Sequence, residues 1–241
     1  MAHQSQRDFI THVSTGLPGF FRDSKVLEVG SLDINGSVRD FFSNCNYTGL
    51  DIAPGPGVDV VCQGQDYDAP DHSYDHVISC EAMEHNPYWK ETFDNMVRMC
   101  RPGGLVTLTC ATVGRIEHGT ARSAPATSPL TIEAGWNYYR NLLGRDFERN
   151  CQLSSAFSAY RMWYDWTSFD FYLLGIRKTN NFRDGLAASW EATASSIDQH
   201  IAHVNRGKVY AYRGLVARVA GDKGFLAMRN LLEKLNYIHD V

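Results

Sequence analysis

The chain has 241 residues, of which 44% are hydrophobic and 21% charged, and its formal net charge is −4. This length can bury one large hydrophobic core, and the composition is that of an ordinary globular protein. No apolar run approaches the roughly 20 residues that a membrane span needs. The acidity argues against a nucleic-acid partner, because phosphate backbones select positively charged surfaces.

The cysteines and the start of the chain suggest a compartment. The first eight residues are polar and lack the apolar core of a signal peptide. Free thiols in a reducing environment explain the cysteines better than disulfides or zinc do, because no Cys-x-x-Cys pair occurs. We therefore expect a cytoplasmic protein without a membrane segment. The six cysteines are Cys45, Cys62, Cys80, Cys100, Cys110 and Cys151.

Hydrophobic periodicity predicts alternating helices and strands. Strands alternating with helices imply a parallel sheet covered on both faces, hence an α/β fold. In chain order, the predicted elements are a helix over 6–21, a strand over 26–29, a helix over 37–42, strands over 47–51, 58–62 and 74–79, a helix over 88–99, a strand over 105–110, a long loop over 114–129, a helix over 133–147, and a hairpin of 158–164 and 169–177.

The last part of the chain differs in character. We predict a main domain over 1–180 and a C-terminal helical extension over 181–241, in which basic and apolar positions interleave at helical spacing. Two apolar stripes there need a covering surface, and we expect a homodimer through these helices. The stripes comprise Val209, Tyr212, Leu215, Val216 and Val219, and then Phe225, Met228, Leu231, Leu232 and Leu235.

An acid and a glycine turn end the first predicted strand. Glu28 lies near the end of this strand, Gly30 follows it, and the next strand ends in Asp51. In α/β nucleotide sites, glycine lets the backbone approach the ligand, and an acid at the next strand end accepts hydrogen bonds from ribose hydroxyls. A dinucleotide and S-adenosylmethionine both fit this pattern. The acid two residues before Gly30 favours S-adenosylmethionine.

From about residue 6 to 178, these features resemble the class I S-adenosylmethionine-dependent methyltransferases. The resemblance implies a Rossmann-like sheet with helices on both faces and an antiparallel last strand, followed here by a helical appendage. It also implies S-adenosylmethionine as cofactor, with Asp51 on the ribose and Ile52 on the adenine face. The cofactor-binding residues that it implies are Glu28, Gly30, Ser31, Asp33, Gly36, Asp51, Ile52, Gln63, Gly64, Gln65 and Cys80.

The glycine motif departs from the family's G-x-G-x-G pattern. Leu32 and Ile34 occupy the later glycine positions. We expect Gly36 to serve from a longer loop, and Asp33 or Asn35 to replace the lost backbone contacts.

The segment after the strand at 74–79 carries Glu81, Glu84 and His85. The sequence pattern E-x-x-E-H in this segment resembles a metal-binding motif of ubiquinone-pathway O-methyltransferases and small-RNA 2′-O-methyltransferases. The resemblance implies that these three side chains bind Mg²⁺ or Mn²⁺. The loop residue His118 could be a fourth metal ligand or a general base. In the alternative without metal, Glu84, His85 or His118 acts as a catalytic or positioning group. Purely structural use is the third interpretation.

Further polar and aromatic residues could contact the methyl acceptor. Arg115 could bind an anionic group, although a local pair with Glu117 is favoured, and Trp136, Tyr138 and Tyr139 are candidates for the substrate pocket. The leading prediction is O-methylation of a hydroxyl on a small molecule or glycan. An RNA 2′-O-methyltransferase and a non-catalytic scaffold that binds the cofactor are the alternatives.

Overall fold

The computed structural model describes residues 3–34 and 36–234, and a seven-stranded sheet lies at its centre. The strand order is β3-β2-β1-β4-β5-β7-β6, with parallel pairing from β3 to β5 and β7 antiparallel to both neighbours. This confirms the Rossmann-like class I methyltransferase sheet and its antiparallel last strand. The strands are β1 (Lys25–Val29), β2 (Asn46–Asp51), β3 (Val60–Val61), β4 (Tyr74–Cys80), β5 (Cys100–Ala111), β6 (Phe157–Asp165) and β7 (Asp170–Arg177).

Helices cover both faces of the sheet. Alternation along β7 shows this directly, since Phe171 and Leu173 pack with one apolar cluster and Tyr172 and Leu174 with the other. None of the helices within the described residues combines the length and hydrophobicity of a membrane span. The helices are α1 (Gln4–Gly16), α2 (Trp89–Met99), α3 (Pro129–Glu133), α4 (Gly144–Asn150), α5 (Leu153–Ala156), α6 (Phe182–Gly185), α7 (Ala187–Val204) and α8 (Lys208–Lys234).

The two long C-terminal helices pack in different places. On α7, Trp190 and Ile197 are buried in the apolar cluster that also contains Phe9 of α1. Helix α8 is interrupted at Gly221 (φ 64°), and its Phe225 packs in a third cluster with Val113. The C-terminal appendage is therefore helical as predicted, while the domain boundary after residue 180 stays a prediction.

The predicted apolar stripes of α8 are partly visible. Tyr212, Leu215 and Val219 are exposed, whereas Phe225 is buried. Leu235 lies outside the described residues, as do the side chains of Val209, Met228, Leu231 and Leu232.

Two predicted helices are wrong. Instead of a helix over 37–42, the chain makes one 3-10 turn, Arg39–Phe41. The helix predicted over 133–147 is split, because α3 ends at Glu133 and α4 begins at Gly144. Between them, Gly135 (φ 77°) and Asn137 (φ 31°) have positive φ angles, which a helix cannot contain. Periodicity alone did not reveal this break.

Candidate cofactor and acceptor site

A cleft opens at the carboxyl ends of β1, β2 and β4, where parallel α/β sheets bind their ligands. It encloses about 680 Å³, including its open mouth. Gly30 and Asp51 line it on the sheet side, and His85 lines it on the β4 side. Residues 127–131 and Trp136, from the segment after β5, also line it. The long loop is therefore part of the site, as its position beyond a strand end predicts.

The turn after β1 requires glycine at residue 30. Gly30 has a φ angle of 82°, and its amide donates a hydrogen bond to the Leu50 carbonyl at 2.8 Å. A Cβ atom at this position would lie 2.3 Å from the Cβ of Ala82. The turns after β1 and β4 thus approach each other closely, and the bare backbone at Gly30 forms part of the cleft wall.

The Asp51 carboxylate is fixed at the end of β2. It accepts hydrogen bonds from the backbone amides of Leu32, at 3.0 Å, and Ile52, at 2.8 Å. Burial raises the pKa of Asp51, and the two amide donors oppose this effect. These bonds leave oxygen lone pairs that can accept hydrogen bonds from two neighbouring ligand hydroxyls. The residue and its place fit the ribose-binding role.

Glu28 lies beneath the cleft rather than on its surface. Its side chain is buried, and the Tyr47 hydroxyl donates a hydrogen bond to its Oε2 at 2.8 Å. Burial raises the pKa of Glu28 to about 7, against the effect of the Tyr47 bond. This carboxyl is therefore close to half-protonated at neutral pH, and it lies at the end of the strand that leads into the Gly30 turn.

The predicted cofactor residues divide into two groups. Gly30, Asp51, Ile52 and Gly64 line the cleft. The others do not line it. Glu28, Ser31 and Cys80 are buried, and Asp33 is exposed and accepts a hydrogen bond from the Gly36 amide at 2.8 Å. Gln65 donates a hydrogen bond to the side chain of Gln63 at 2.6 Å. Asn35 lies outside the described residues. Lining residues that the sequence reasoning missed include Leu32, Ile34, Cys62, Met83 and Asn86.

On the acceptor side, Glu84 and His85 come together with His118 from the loop after β5. Ligand-capable atoms of the three lie within 4.8 Å of one another. The Oε1 of Glu84 accepts the Ala111 amide hydrogen bond at 3.2 Å. The Oε2 of Glu84 and the Nδ1 of His85 are buried without a hydrogen-bond partner among the described residues. Buried polar atoms of this kind need an explanation, and a bound ligand or ion is one.

Glu81 does not join this group, which differs from the predicted set of Glu81, Glu84 and His85. Its ligand-capable atoms group instead with those of His3 and Asp170. Burial first, and then the neighbouring carboxyls of Glu84 and Asp170, raise the pKa of Glu81 well above its ordinary range. The protonated form is therefore favoured. The reason for the regrouping is local, because Glu81 has a φ angle of 52° and ends the strand in a sharp turn.

Arg115 contacts this second group, and the predicted pair with Glu117 is wrong. Its Nη1 lies 3.1 Å from the Oδ1 of Asp170, and its Nη2 lies 3.7 Å from the Oε2 of Glu81. Glu117 binds Arg122 instead, at 2.9 Å. Arg115 therefore neutralises buried carboxyls rather than presenting its charge to a substrate.

The aromatic candidates surround the histidines. The rings of His85 and His118 are 5.0 Å apart, and the Tyr139 ring lies 5.5 Å and 4.9 Å from them. Trp136 lines the cleft and packs edge-on against Tyr88. Tyr138 is half-buried and does not line the cleft. Burial lowers the pKa of His85 to about 4, so its imidazole is neutral at pH 7.

Comparison with known proteins agrees with this geometry. Residues 27–108 match the family described as a methyltransferase domain, and this span contains the glycine turn, Asp51 and the Glu84–His85 pair. The strand order is that of the Rossmann-like class I methyltransferase sheet, and residues 27–108 of this fold match the methyltransferase-domain family. No curated protein matches the chain.

Several solved methyltransferase structures are similar to this one. A putative methyltransferase from Bacillus halodurans is 10% identical, with a TM-score of 0.49 over 72% of this chain and 100% of that one. The Burkholderia thailandensis 1,6-didemethyltoxoflavin N1-methyltransferase, with bound S-adenosylhomocysteine, is 11% identical, with a TM-score of 0.48 over 71% and 78%. Phosphoethanolamine N-methyltransferase 2 from Haemonchus contortus, in complex with S-adenosylmethionine, is 16% identical, with a TM-score of 0.48 over 92% and 49%.

Cofactor affinity should distinguish Asp51 from Asp33. Asp51→Ala removes the hydroxyl acceptor in the cleft and should weaken S-adenosylhomocysteine binding by about 1.5–3 kcal/mol in calorimetry. Asp33→Ala is the matched control, since Asp33 is exposed and outside the cleft lining, and it should change the affinity little. Equal losses in both variants would contradict the placement of the ribose described above.

The pKa of Glu28 predicts a pH-dependent stability. Its folded pKa of about 7 exceeds its ordinary value of 4.5, so its contribution is greatest below pH 4.5 and is lost as the pH rises to about 7. Glu28→Gln cannot ionise, and its stability relative to the native protein should therefore improve by about 2–3 kcal/mol between pH 5 and 8. Urea unfolding measures this. Glu148→Gln, at an exposed carboxyl, should show no such trend.

Proposed function

We propose that this methyltransferase transfers the methyl group of S-adenosylmethionine to a hydroxyl oxygen of a small molecule or glycan. The observation that carries the proposal is the group of Glu84, His85 and His118 beside the cleft, with two buried polar atoms that lack a partner among the described residues. A hydroxyl must lose its proton during methyl transfer, and groups of this chemistry can promote that loss directly or through a cation.

The residues that line the cleft suggest how S-adenosylmethionine would bind. Asp51 would hold the ribose hydroxyls, and the Gly30 turn would leave space for the amino-acid part. When bound, S-adenosylmethionine supplies an electrophilic methyl group. The chain's task is then to align the acceptor oxygen with it and to exclude water. Residues 127–131 and Trp136 line the cleft and would exclude water if they close over the acceptor.

The donor set fits a divalent cation. One carboxylate and two imidazoles suit Mn²⁺ better than Mg²⁺, which prefers an all-oxygen shell. The Nδ1 of His118 lies 3.0 Å from the Ile116 carbonyl, so Nδ1–H donates there and Nε2 keeps its lone pair. His85 is neutral, as a ligand must be. A cation here would bind the acceptor oxygen and lower the pKa of its hydroxyl.

The overall charge disfavours RNA as acceptor. The chain has a net charge of −4, whereas a phosphate backbone selects positively charged surfaces. A neutral acceptor with hydroxyl groups avoids this mismatch. All six cysteines are free thiols, which agrees with the proposed cytoplasmic location.

An acceptor panel tests the reaction. Purified protein, radiolabelled S-adenosylmethionine and Mn²⁺ are incubated with catechols, monosaccharides, simple amines, and an RNA ending in a 2′,3′-diol. We expect labelled methyl ethers from a catechol or sugar. Product from amines or RNA alone would contradict the proposal.

Chelation tests the cation. EDTA should abolish turnover and leave S-adenosylhomocysteine affinity nearly unchanged, and added Mn²⁺ should restore the rate. Glu84→Gln should lower turnover as EDTA does, because it removes a charged ligand of the cation. Glu117→Gln, at an exposed loop carboxylate, is the control. Without a metal, EDTA should have no effect and His85→Ala should lower the rate by roughly 10²–10⁴-fold. Full activity in EDTA together with full activity of His85→Ala would exclude both the metal-assisted mechanism and the general-base mechanism.

We also propose a homodimer through α8, whose exposed Tyr212, Leu215 and Val219 lie at helical spacing. Light scattering over a hundredfold range of concentration should show twice the chain mass at the upper end. A constant monomer mass contradicts this arrangement.

A further inference from the structure

One side of the cleft surrounds His85. Its residues, here called the acceptor wall, are Met83, Asn86, residues 127–131 and Trp136. Geometry at Gly119 shows that the segment after β5 reaches the histidine. A Cβ atom added at Gly119 would lie 2.6 Å from the Cε1 of His85 and 2.6 Å from the Cβ of Ser128, so both side chains lie against the same glycine. The acceptor wall therefore adjoins the group proposed to take part in the reaction.

Trp136 is the largest side chain of the acceptor wall, and its neighbours hold it in place. Its amide donates a hydrogen bond to the Thr131 carbonyl at 2.9 Å, and its ring packs edge-on against Tyr88, with ring centres 5.9 Å apart. Tyr88 follows His85 by three residues in the chain. The indole is only half-buried and lines the cleft, so it offers aromatic surface to a bound molecule.

The hydroxyl groups of the acceptor wall already have partners. Those of Ser128 and Thr131 lie 2.7 Å apart and share a hydrogen bond, and Thr131 also donates to the Ser128 carbonyl at 2.9 Å. The Thr127 hydroxyl donates to the Ala124 carbonyl at 2.8 Å. The hydrogen of each hydroxyl is therefore used within the chain and is not presented to a ligand.

The Asn86 side chain is occupied in the same way. Its amide nitrogen donates to the Thr92 hydroxyl at 2.8 Å, and its oxygen accepts the Tyr88 amide hydrogen bond at 2.7 Å. The remaining side chains of the acceptor wall are apolar, and they are Met83, Pro129, Leu130 and Trp136. The wall as a whole therefore presents an apolar and aromatic surface, although half of its residues are polar.

Unsatisfied polarity in the cleft is concentrated in one place. Among the lining residues, the buried side-chain atoms without a hydrogen-bond partner in the described part of the chain are the Oε1 of Glu81 and the Nδ1 of His85. Both residues follow the end of β4. This distribution suits a molecule with a polar group at one edge of an apolar body.

We propose that the acceptor wall binds a planar aromatic ring, and that the methyl acceptor is a phenolic hydroxyl on this ring, with Trp136 determining the specificity. The inference rests on the proposed O-methylation and narrows its substrate class. A sugar carries hydroxyls around its whole ring, and each one that is buried without a partner costs free energy. A phenol needs apolar surface for its ring and polar partners at one edge only.

The reaction of a phenol needs no further reactant. The phenolic oxygen forms the new O–C bond, the C–S bond breaks with its electron pair staying on sulfur, and the phenolic proton is lost to water. A phenol has a pKa near 10, as tyrosine has, and so gives up its proton more readily than a sugar hydroxyl does.

A binding experiment without turnover tests the ring site. Protein saturated with S-adenosylhomocysteine, in EDTA so that no cation contributes, is titrated with phenol and with cyclohexanol by ligand-observed NMR. Both probes have one hydroxyl on a six-carbon ring, and only phenol is planar and aromatic. We expect phenol to bind at least about fivefold more tightly. Trp136→Ala should abolish this preference, and Trp136→Phe should keep most of it.

The control is Ile116→Ala. Ile116 is 56% exposed in the same segment and does not line the cleft, so its replacement should leave the preference unchanged. Equal affinities of phenol and cyclohexanol in the native protein would overturn the proposal without recourse to any variant. An equal loss of phenol and S-adenosylhomocysteine affinity in Trp136→Ala would also overturn it, because Trp136 would then contact the cofactor.

Turnover separates this inference from the proposed function. With a phenolic acceptor, Trp136→Ala should raise KM about five- to tenfold and change kcat less than about threefold. Methyl ethers from monosaccharides and none from phenols would support O-methylation and overturn the aromatic acceptor. Labelled product from aniline alone would overturn O-methylation and the phenolic acceptor, whereas the aromatic ring site would stand on the binding experiment.

Discussion

The backbone reversal at Glu81 governs the arrangement of the acceptor side. Glu81 has a φ angle of 52°, and its amide donates a hydrogen bond to the Thr109 carbonyl of β5 at 3.0 Å. A left-handed conformation in a residue other than glycine costs on the order of 1–3 kcal/mol, and it persists only where the surroundings enforce it. Here it sends Glu81 toward β7, while Glu84 and His85 continue toward the loop after β5.

This division separates two kinds of chemistry within one short segment. Glu84 and His85, with His118, form a set of possible ligands, and none of them makes an ion pair with an arginine among the described residues. Glu81 and Asp170 share Arg115, whose charge would repel a cation. The same buried environment therefore holds a set of possible cation ligands and, apart from it, carboxyls that an arginine already pairs.

Local sequence signals explain what could be predicted. Short apolar runs predicted all seven strands, and the Gly30 turn with Asp51 predicted the cofactor cleft. The helix over 133–147 failed because Gly135 and Asn137 adopt positive φ angles that periodicity does not encode. The pairing of Glu81 with Asp170 was beyond sequence reasoning, since it depends on the register that sets Ala111 of β5 opposite Asp170.

The loop that lines the cleft has a consequence for turnover. Residues 127–131 and Trp136 line the same cleft as Gly30 and Asp51, so departure of the spent cofactor on their side would require that loop to move. Closing segments of this kind often make product departure slower than bond making. In such an enzyme the overall rate follows solvent viscosity, and a burst of product precedes the steady state.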